Sequence, residues 1–589
     1  MVPLPPNHKE YKITRITIAG NSSAMSSATP PRSTSYSGGS VRKKPQTHLP
    51  SPFLKSSPGG HRNRASSALI PKKSSKKIET FGTPPKKEGT VPKKCYTVGT
   101  MSRCGSIFEE MLRQLLATGR WREVRVRQRP IVKVLFVPEL QRDLSDVTVH
   151  LMLGDKTPME NLIAQRRLLV SRQKARSSIT PGTPSTARLG LTRALRLPMG
   201  GEGGEVRVVD FIEGTRCITL KSKMVSTLLR HHQGSWEKLG QYLPLTFRID
   251  LSGGPKDERD LLLEAATNKK LWQGGKPPLW IAKSSSGSHG DNIEIFKGDR
   301  AGVNQLLKYV ESKKGNIWVA QQYIDRPLLY HKRKFDIRCF ALLLRDSYEV
   351  YVHQDIIMRT SSVPYSRDTA TSKGGEGRLA HITNHCVQSE GASYSMYEEG
   401  NELWREHLDG LVRYKGNRML KNGTHRLDKN RRLVPCGNTI VSTSAARGTV
   451  RSSPVSSPSP PRYPQHSDDG ATARGADVTV HNHIMPQIHY IVKETICAAR
   501  PHLPVEPCVP SPTQCFQVFG YDFLIDEDLK VWLLEINGAP GGADRIVPRI
   551  MKDTIELCVS PFFPLSKEVK SEPSGYVKVY PLGDLDTLE

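Results

Sequence analysis

The run GYDFLIDEDLKVWLLEING, Gly520 to Gly538, constrains the fold more than any other stretch of the chain. Two apolar segments flank a short polar one, which reads as an antiparallel hairpin. A four-residue loop from Glu527 to Lys530 sets Asp526 opposite Val531, Leu524 opposite Leu533 and Asp522 opposite Glu535. Residues two apart on a strand share a face, so Asn537 joins Glu535. Facing carboxylates repel unless something neutralises them. Two readings follow: a solvated face, or a site for a hard cation such as Mg²⁺, which takes oxygen ligands.

Three other stretches carry candidate chemistry. In WIAKSSSGSHGDNIEIF, an apolar strand ends at Lys283 and runs into a Ser/Gly loop. A lysine there suits a polyphosphate, though a plain Gly/Ser hairpin fits the same pattern, and the Walker A spacing is absent. In HKRKFDIRCFALLL, Lys334, Asp336 and Arg338 share one face of a strand and Phe335 and Ile337 the other. That polar face lines a cleft or faces solvent at an edge. Arg359 follows a further strand, and arginine suits forked binding of phosphate or carboxylate. In HITNHCVQ, His381 and His385 are four apart, but Thr383 and Asn384 between them read as a loop and not as a zinc-binding helix.

Around these stretches the pattern is α/β. Strands are expected at LWIAK, IWVAQQY, KFDIRCFALLL and VYVHQDII, with earlier ones at IVKVLFV, VTVHLML and VRVVDFI. Helices are expected at FEEMLRQLLA, closed by Gly119, at SKMVSTLLRHH, at MPQIHYIVKETICAA and at RIVPRIMKDTIELCV. Only 37% of the 589 residues are apolar and 43 are proline, so one core of roughly 350–400 residues is expected, with disordered additions. Those additions are a basic arm over 1–96 and insertions at about 160–203 and 415–480. The arm reads as a solubilising leader or as a tether to an acidic surface, released by phosphorylation at Ser-Pro and Thr-Pro sites. The net charge of +29 favours acidic partners. Ten cysteines without a CxxC pair read as reduced thiols of a cytosolic protein. No apolar run reaches the ~18–20 residues of a membrane helix, and no secretory leader is expected.

Taken in order, LLATGRW, WIAKSSSGSHG, QQYIDRPLL, RKFDIRCF, RTSSVPY, HITNHCVQ, YEEGNE, GYDFLIDEDLKVWLLEINGAP and SPFFPL resemble the tubulin tyrosine ligase and ligase-like family of ATP-grasp enzymes. The resemblance spans about 107–565 outside the insertions. WIAKSS, HITNHC and NGAP look more like the tyrosine-adding branch, since the glutamylating and glycylating branches carry WIxKP, HLTNYS and NxSP there.

The resemblance implies an ATP-grasp fold: a small N-terminal domain over 97–225, a central subdomain over 226–320, a C-terminal subdomain over 321–565 and a tail over 566–589. It implies that Lys283 and Lys334 contact ATP phosphates. Gln321, Gln322 and Ile324 would form the hinge at adenine, with Asp336 nearby and Thr383 and Asn384 lining the cleft. Arg338 and Arg359 would hold the γ-phosphate and the reacting carboxylate, and Asp522, Glu535 and Asn537 would carry Mg²⁺. Glu535 would serve catalysis by placing the ion, not as a base. The implied activity joins free tyrosine to the C-terminal carboxylate of detyrosinated α-tubulin through an acyl phosphate. A glutamate or glycine ligase and an inactive tubulin-binding relative are the rival expectations.

Lys221 fits a basic position that contacts tubulin in the family, whereas Leu220 stands where the tyrosine ligase has Arg. His289 and Asn292 replace a basic residue and a glycine of the phosphate loop. A monomer in the cytoplasm, associated with the cytoskeleton and binding no nucleic acid, is expected.

Overall fold

The computed structural model describes residues 96–101, 106–126, 150–154, 208–272, 275–287, 290–313, 315–372, 374–428, 433–436, 478–504, 514–563 and 574–581. The basic arm before Tyr96, IVKVLFV, the first three residues of VTVHLML, the 160–203 insertion, His289 and most of the second insertion lie outside these residues.

The first described elements are β1 (Tyr96–Met101), α1 (Ser106–Ala117), β2 (Trp121–Val126), β3 (Leu151–Leu153) and β4 (Val208–Val209). The four strands are parallel, in the order β4-β3-β1-β2. Met111 and Leu115 of α1 are buried, while Leu116, one position round the helix, is exposed. Gly119 ends the helix at φ 67°, where a side chain would be strained. Next comes α2 (Lys221–His231), matching the expected helix and burying Met224, Val225 and Leu228.

A four-stranded antiparallel sheet follows. It comprises β5 (Thr246–Asp250), β6 (Leu279–Ser284), β7 (Glu294–Lys297) and β8 (Ile317–Gln322), in the order β5-β8-β6-β7. Two helices interleave: α3 (Arg259–Thr267) precedes β6, and α4 (Arg300–Glu311) precedes β8. Asp299 caps α4, accepting the Gly302 N–H at 2.7 Å.

The rest of the chain adds to the larger sheet β9 (Leu329–Tyr330), β10 (Arg333–Leu344), β11 (Glu349–Thr360) and β12 (Glu402–Trp404), forms a separate hairpin of β13 (His425–Leu427) and β14 (Leu433–Pro435), and returns to the larger sheet with β15 (Gln514–Ile525), β16 (Val531–Asn537) and β17 (Tyr576–Tyr580). Its helices are α5 (Arg405–Lys421), α6 (Met485–Ala499) and α7 (Val547–Cys558). Strand β15 lies at the centre. It pairs antiparallel with β10 and β16, and its first residues pair parallel with β4. The strands before residue 210 therefore extend the sheet built after residue 329. One apolar core, including Leu228, Trp280, Trp318, Ile337, Ile491 and Phe523, joins α2, the small sheet, the large sheet and α6.

The α/β class expected from the sequence is the one observed, and two segments differ in detail. The sequence pattern starts the second insertion at about 415, but α5 runs to Lys421 and the β13–β14 hairpin follows. The helix buries only Leu408, Val412, Gly416 and Met419 among many charges, so its periodicity is faint. The tail beyond 566 contributes β17, paired with β11, through the short alternating run YVKVY.

Gly416 marks where the chain returns after the insertion: a Cβ there would stand 2.5 Å from Val478 Cβ. Gly416→Ala gains about 1 kcal/mol of helix propensity. Overpacking costs about 1–3 kcal/mol, so the variant should unfold at lower denaturant. An unchanged or higher midpoint would refute this close approach.

Candidate active site

The hairpin supplies the first part of the site. Asp522 does face Glu535, but the route there differs from the expected one. Asp526 accepts the N–H groups of Asp528 and Lys530 on its side chain at 2.9 and 3.0 Å and donates its own N–H to Lys530 O at 3.0 Å, so regular pairing stops at Ile525 and residues 526–530 form the loop. Ile525, not Asp526, therefore pairs with Val531, and Phe523, not Leu524, with Leu533. A bulge at Leu534 then returns the ladder to the expected register at Asp522. Asn537 sits near both carboxylates, its amide nitrogen 3.3 Å from Asp522 Oδ2 and 3.4 Å from Glu535 Oε1.

The neighbouring strands add cations in alternation. On β10, Arg338 stands opposite Asp522 and donates from Nε and Nη2 to its two oxygens at 2.7 and 2.8 Å. On β11, Arg359 stands opposite Asp336 and donates to it at 2.6 Å, while reaching Asp522 at 3.1 Å. Thr383 donates to the second oxygen of Asp336. Burial alone would raise the Asp522 carboxyl, but the Arg338 and Arg359 guanidiniums outweigh it and hold Asp522 well below the usual carboxylate range. The same balance acts on Arg359: burial disfavours its charge, and Asp336 and Asp522 hold it above its ordinary value.

Two buried lysines complete the set. Lys283, on β6, donates to Gln321 Oε1 at 3.0 Å. Lys334, at the start of β10, donates to Tyr323 Oη at 3.0 Å and to the His381 carbonyl at 2.8 Å. Among the described residues these hydrogen bonds go to neutral oxygens, not carboxylates. Burial pushes Lys283 down to about 8, against the pull of Glu535, and Lys334 down to about 7, against that of Asp336. A buried ammonium held this way is suited to an added anion.

Gln321 is buried and also donates to Thr246 Oγ1 at 3.1 Å. Gln322 and Ile324 flank the point where β8 leaves the small sheet, with the Gln322 N–H on Leu245 O at 2.7 Å. The Asn384 backbone carbonyl accepts the Val387 N–H at 2.9 Å, starting a short helical turn, and its side chain packs beside Gly290. Asn292 takes φ 53°, a left-handed conformation that glycine adopts freely and asparagine tolerates.

The two histidines of HITNHC lie on either side of a break between two short helices. His381 Nδ1 bonds Tyr323 Oη at 2.8 Å and its Nε2 bonds Thr369 Oγ1 at 3.1 Å, a structural role. His385 Nδ1 lies 3.3 Å from Tyr394 Oη.

The structure places Lys221 inside the site. Its ammonium is 2.8 Å from Glu535 Oε2 and donates to Gly287 O at 2.8 Å. The sequence offered no sign of this contact, because helix and hairpin are more than 300 residues apart.

A second residue that sequence reasoning missed is Glu402, opposite Arg359 on β12, whose carboxyl burial pushes up. A three-residue strand leaves no register to read. The residues before Glu402 in the YEEGNE segment are scaffolding: Glu398 pairs with Arg333 and accepts from Thr360, and Asn401 donates to Thr360 O at 3.0 Å.

The donor set fits Mg²⁺: two carboxylates and an amide, all oxygen ligands once the Asn537 amide turns. Lys221 and Arg338 occupy those carboxylates here, so a bound cation would exchange with them. The lysine pair and arginine pair fit a polyphosphate.

The family model for the tubulin-tyrosine ligase family matches residues 213–453 and 471–570, more than half of the chain. Among curated proteins, the human "probable tubulin polyglutamylase TTLL2" is 24% identical over 351 residues, 58% of this chain and 45% of that protein. The mouse "protein monoglycylase TTLL8" is 25% identical over 292 residues, 48% of this chain and 27% of that protein. The human "tubulin monoglutamylase TTLL4" is 20% identical over 339 residues, 57% and 21% respectively. The chain thus spans less than half the length of these relatives. Every site residue described above lies within the matched segments, and with the family model they say what the alternating row of charges belongs to: this chain is a member of the tubulin-tyrosine ligase family.

Proposed function

We propose that the protein is an ATP- and Mg²⁺-dependent ligase that joins an amino acid to a tubulin carboxylate. The observation that carries this is the pair of buried ammoniums, Lys283 and Lys334, beside the Asp522–Glu535–Asn537 oxygen set. When bound, ATP supplies the γ-phosphoryl group that activates the carboxylate, and Mg²⁺ neutralises charge on the phosphate oxygens.

In this reading Lys283 and Lys334 hold the phosphates, and Asp522, Glu535 and Asn537 hold the ion. Arg338 and Arg359 orient the transferring group and the acceptor carboxylate, and stabilise negative charge as it moves between oxygens. The carboxylate oxygen takes the phosphoryl group and ADP leaves. The amino group of the incoming amino acid then attacks the acyl carbon, losing a proton, and inorganic phosphate departs. Gln321, Gln322 and Ile324 flank adenine, with Asp336, Thr383 and Asn384 as the cleft wall. The +29 charge favours encounter with an acidic tubulin tail.

Tyrosine is the amino acid favoured by the WIAKSS, HITNHC and NGAP segments. Glutamate or glycine is the second reading, favoured by the relatives, which are named as two glutamylases and a glycylase. Purified protein given ATP, Mg²⁺, detyrosinated tubulin and labelled tyrosine, glutamate or glycine in parallel decides between them. No ATP-dependent incorporation of any of the three would reject the ligase reading.

Lysines held near 7 and 8 must be protonated to bind a triphosphate, and the anion raises both. ATP binding at pH 8 is therefore expected to take up protons, and affinity to fall as pH rises through that range. Calorimetry in two buffers of different ionisation heat measures the uptake. Identical heats would show that the lysines are already charged.

A further inference from the structure

At the far end of α2 from Lys221 is a second cluster with no part in the chemistry above. Helix α2 has 11 residues, so its ends are about 15 Å apart. It ends at His231, with His232 at its C-cap, and both rings face Glu494 of α6. His231 Nε2 is 3.4 Å from Glu494 Oε2, and His232 Nε2 is 3.6 Å from the same oxygen. One ligand atom from each of the three residues lies within 4.8 Å of the others, and among the described residues no other such group is found.

These separations decide between two readings. A charge-assisted N–H···O bond closes to about 2.7–2.9 Å, so 3.4 and 3.6 Å are too long for a good His–Glu hydrogen bond. Ligands about 2.0–2.1 Å from one tetrahedral zinc ion stand about 3.4 Å apart. Both His–Glu separations match that spacing, and the ligand atoms of all three residues lie within 4.8 Å of one another.

We propose that His231, His232 and Glu494 form a site for a divalent transition-metal ion of the zinc class, which ties α2 to α6. Two imidazoles and a carboxylate are a zinc-type set with one position left open. His231 is partly exposed and gives the ion a way in, while His232 is buried and fixes the geometry. Tyr242 Oη now sits 2.9 Å from His232 Nε2, and the ion would take its place on that nitrogen.

The test uses the full chain, stripped with chelator and titrated with Zn²⁺ in millimolar Mg²⁺, which keeps the oxygen-only set occupied. Bound metal is measured by equilibrium dialysis and elemental analysis for wild type, His231→Gln and Glu494→Gln. One zinc equivalent at micromolar free ion is expected in wild type, and binding at that equivalent at least about 10-fold weaker in both variants. Saturation should also raise the wild-type melting temperature by about 2–5 °C and leave His231→Gln unmoved. His231 lies at the surface, so that variant keeps its fold, which far-UV circular dichroism verifies. A wild type that takes up no zinc, or a His231→Gln chain that binds it equally, overturns the proposal.

Discussion

Glu535→Gln is expected to lower ATP-dependent incorporation into tubulin at least about 100-fold while the protein stays folded. The amide keeps the shape of the carboxylate and loses the charge that a magnesium ion requires of it. The structural loss is small. Glu535 pairs with Lys221 at 2.8 Å, and Lys221 keeps its bond to the Gly287 carbonyl. The two side chains are only 12% and 20% exposed, but the retained carbonyl bond keeps the ammonium partnered, so the lost pair costs about 1–2 kcal/mol. Activity and melting temperature, measured on the same preparation, should therefore separate. Near wild-type incorporation in the variant would remove Glu535 from the ion's ligands.

Asp522→Asn should behave in the opposite way, with a large cost in stability as well as in activity. Asp522 is 3% exposed and neutralises two guanidiniums, Arg338 at 2.7 Å and Arg359 at 3.1 Å. Removing its charge leaves Arg338 without an anion and Arg359 with Asp336 alone. Breaking a buried pair from one side costs about 3–5 kcal/mol. Denaturant titration at pH 7 reads this as a large drop in midpoint at constant slope. The carboxyl is held below its unfolded value, so its contribution is complete above about pH 4 and is lost as pH falls through the folded value. The gap between variant and wild type should thus stay level from neutral pH down to about 5 and close only in stronger acid. A gap under about 1 kcal/mol would show that the arginines need no buried partner.

The parts of the molecule that sequence reveals are those written in local periodicity. Strands β6, β8, β10 and β11 and helices α2 and α6 stand where apolar spacing puts them. The Asp522–Glu535 pairing was reached from the sequence through two errors that cancel. The loop has one residue more than assumed, because Asp526 folds back on it, and the bulge at Leu534 restores the count. Neither side-chain capture of a loop nor a bulge leaves a periodic trace. Lys221 illustrates a different limit. Its position on α2 was readable, but its partner depends on how a helix and a hairpin distant in sequence pack together, which no local pattern encodes. The β17 strand was missed because five alternating residues behind a polar stretch look like any tail.

The central place of β15 has a consequence for how the chain is made. Its neighbours β4 and β10 end at residues 209 and 344, yet β15 begins only at residue 514. During synthesis both neighbours wait with an open edge until about the last eighth of the sequence emerges. Open edges recruit foreign strands. A nascent or truncated chain that stops before residue 514 carries a split sheet and an Arg338 with no Asp522 to meet, so it is a natural client for chaperones that shield unpaired β-structure.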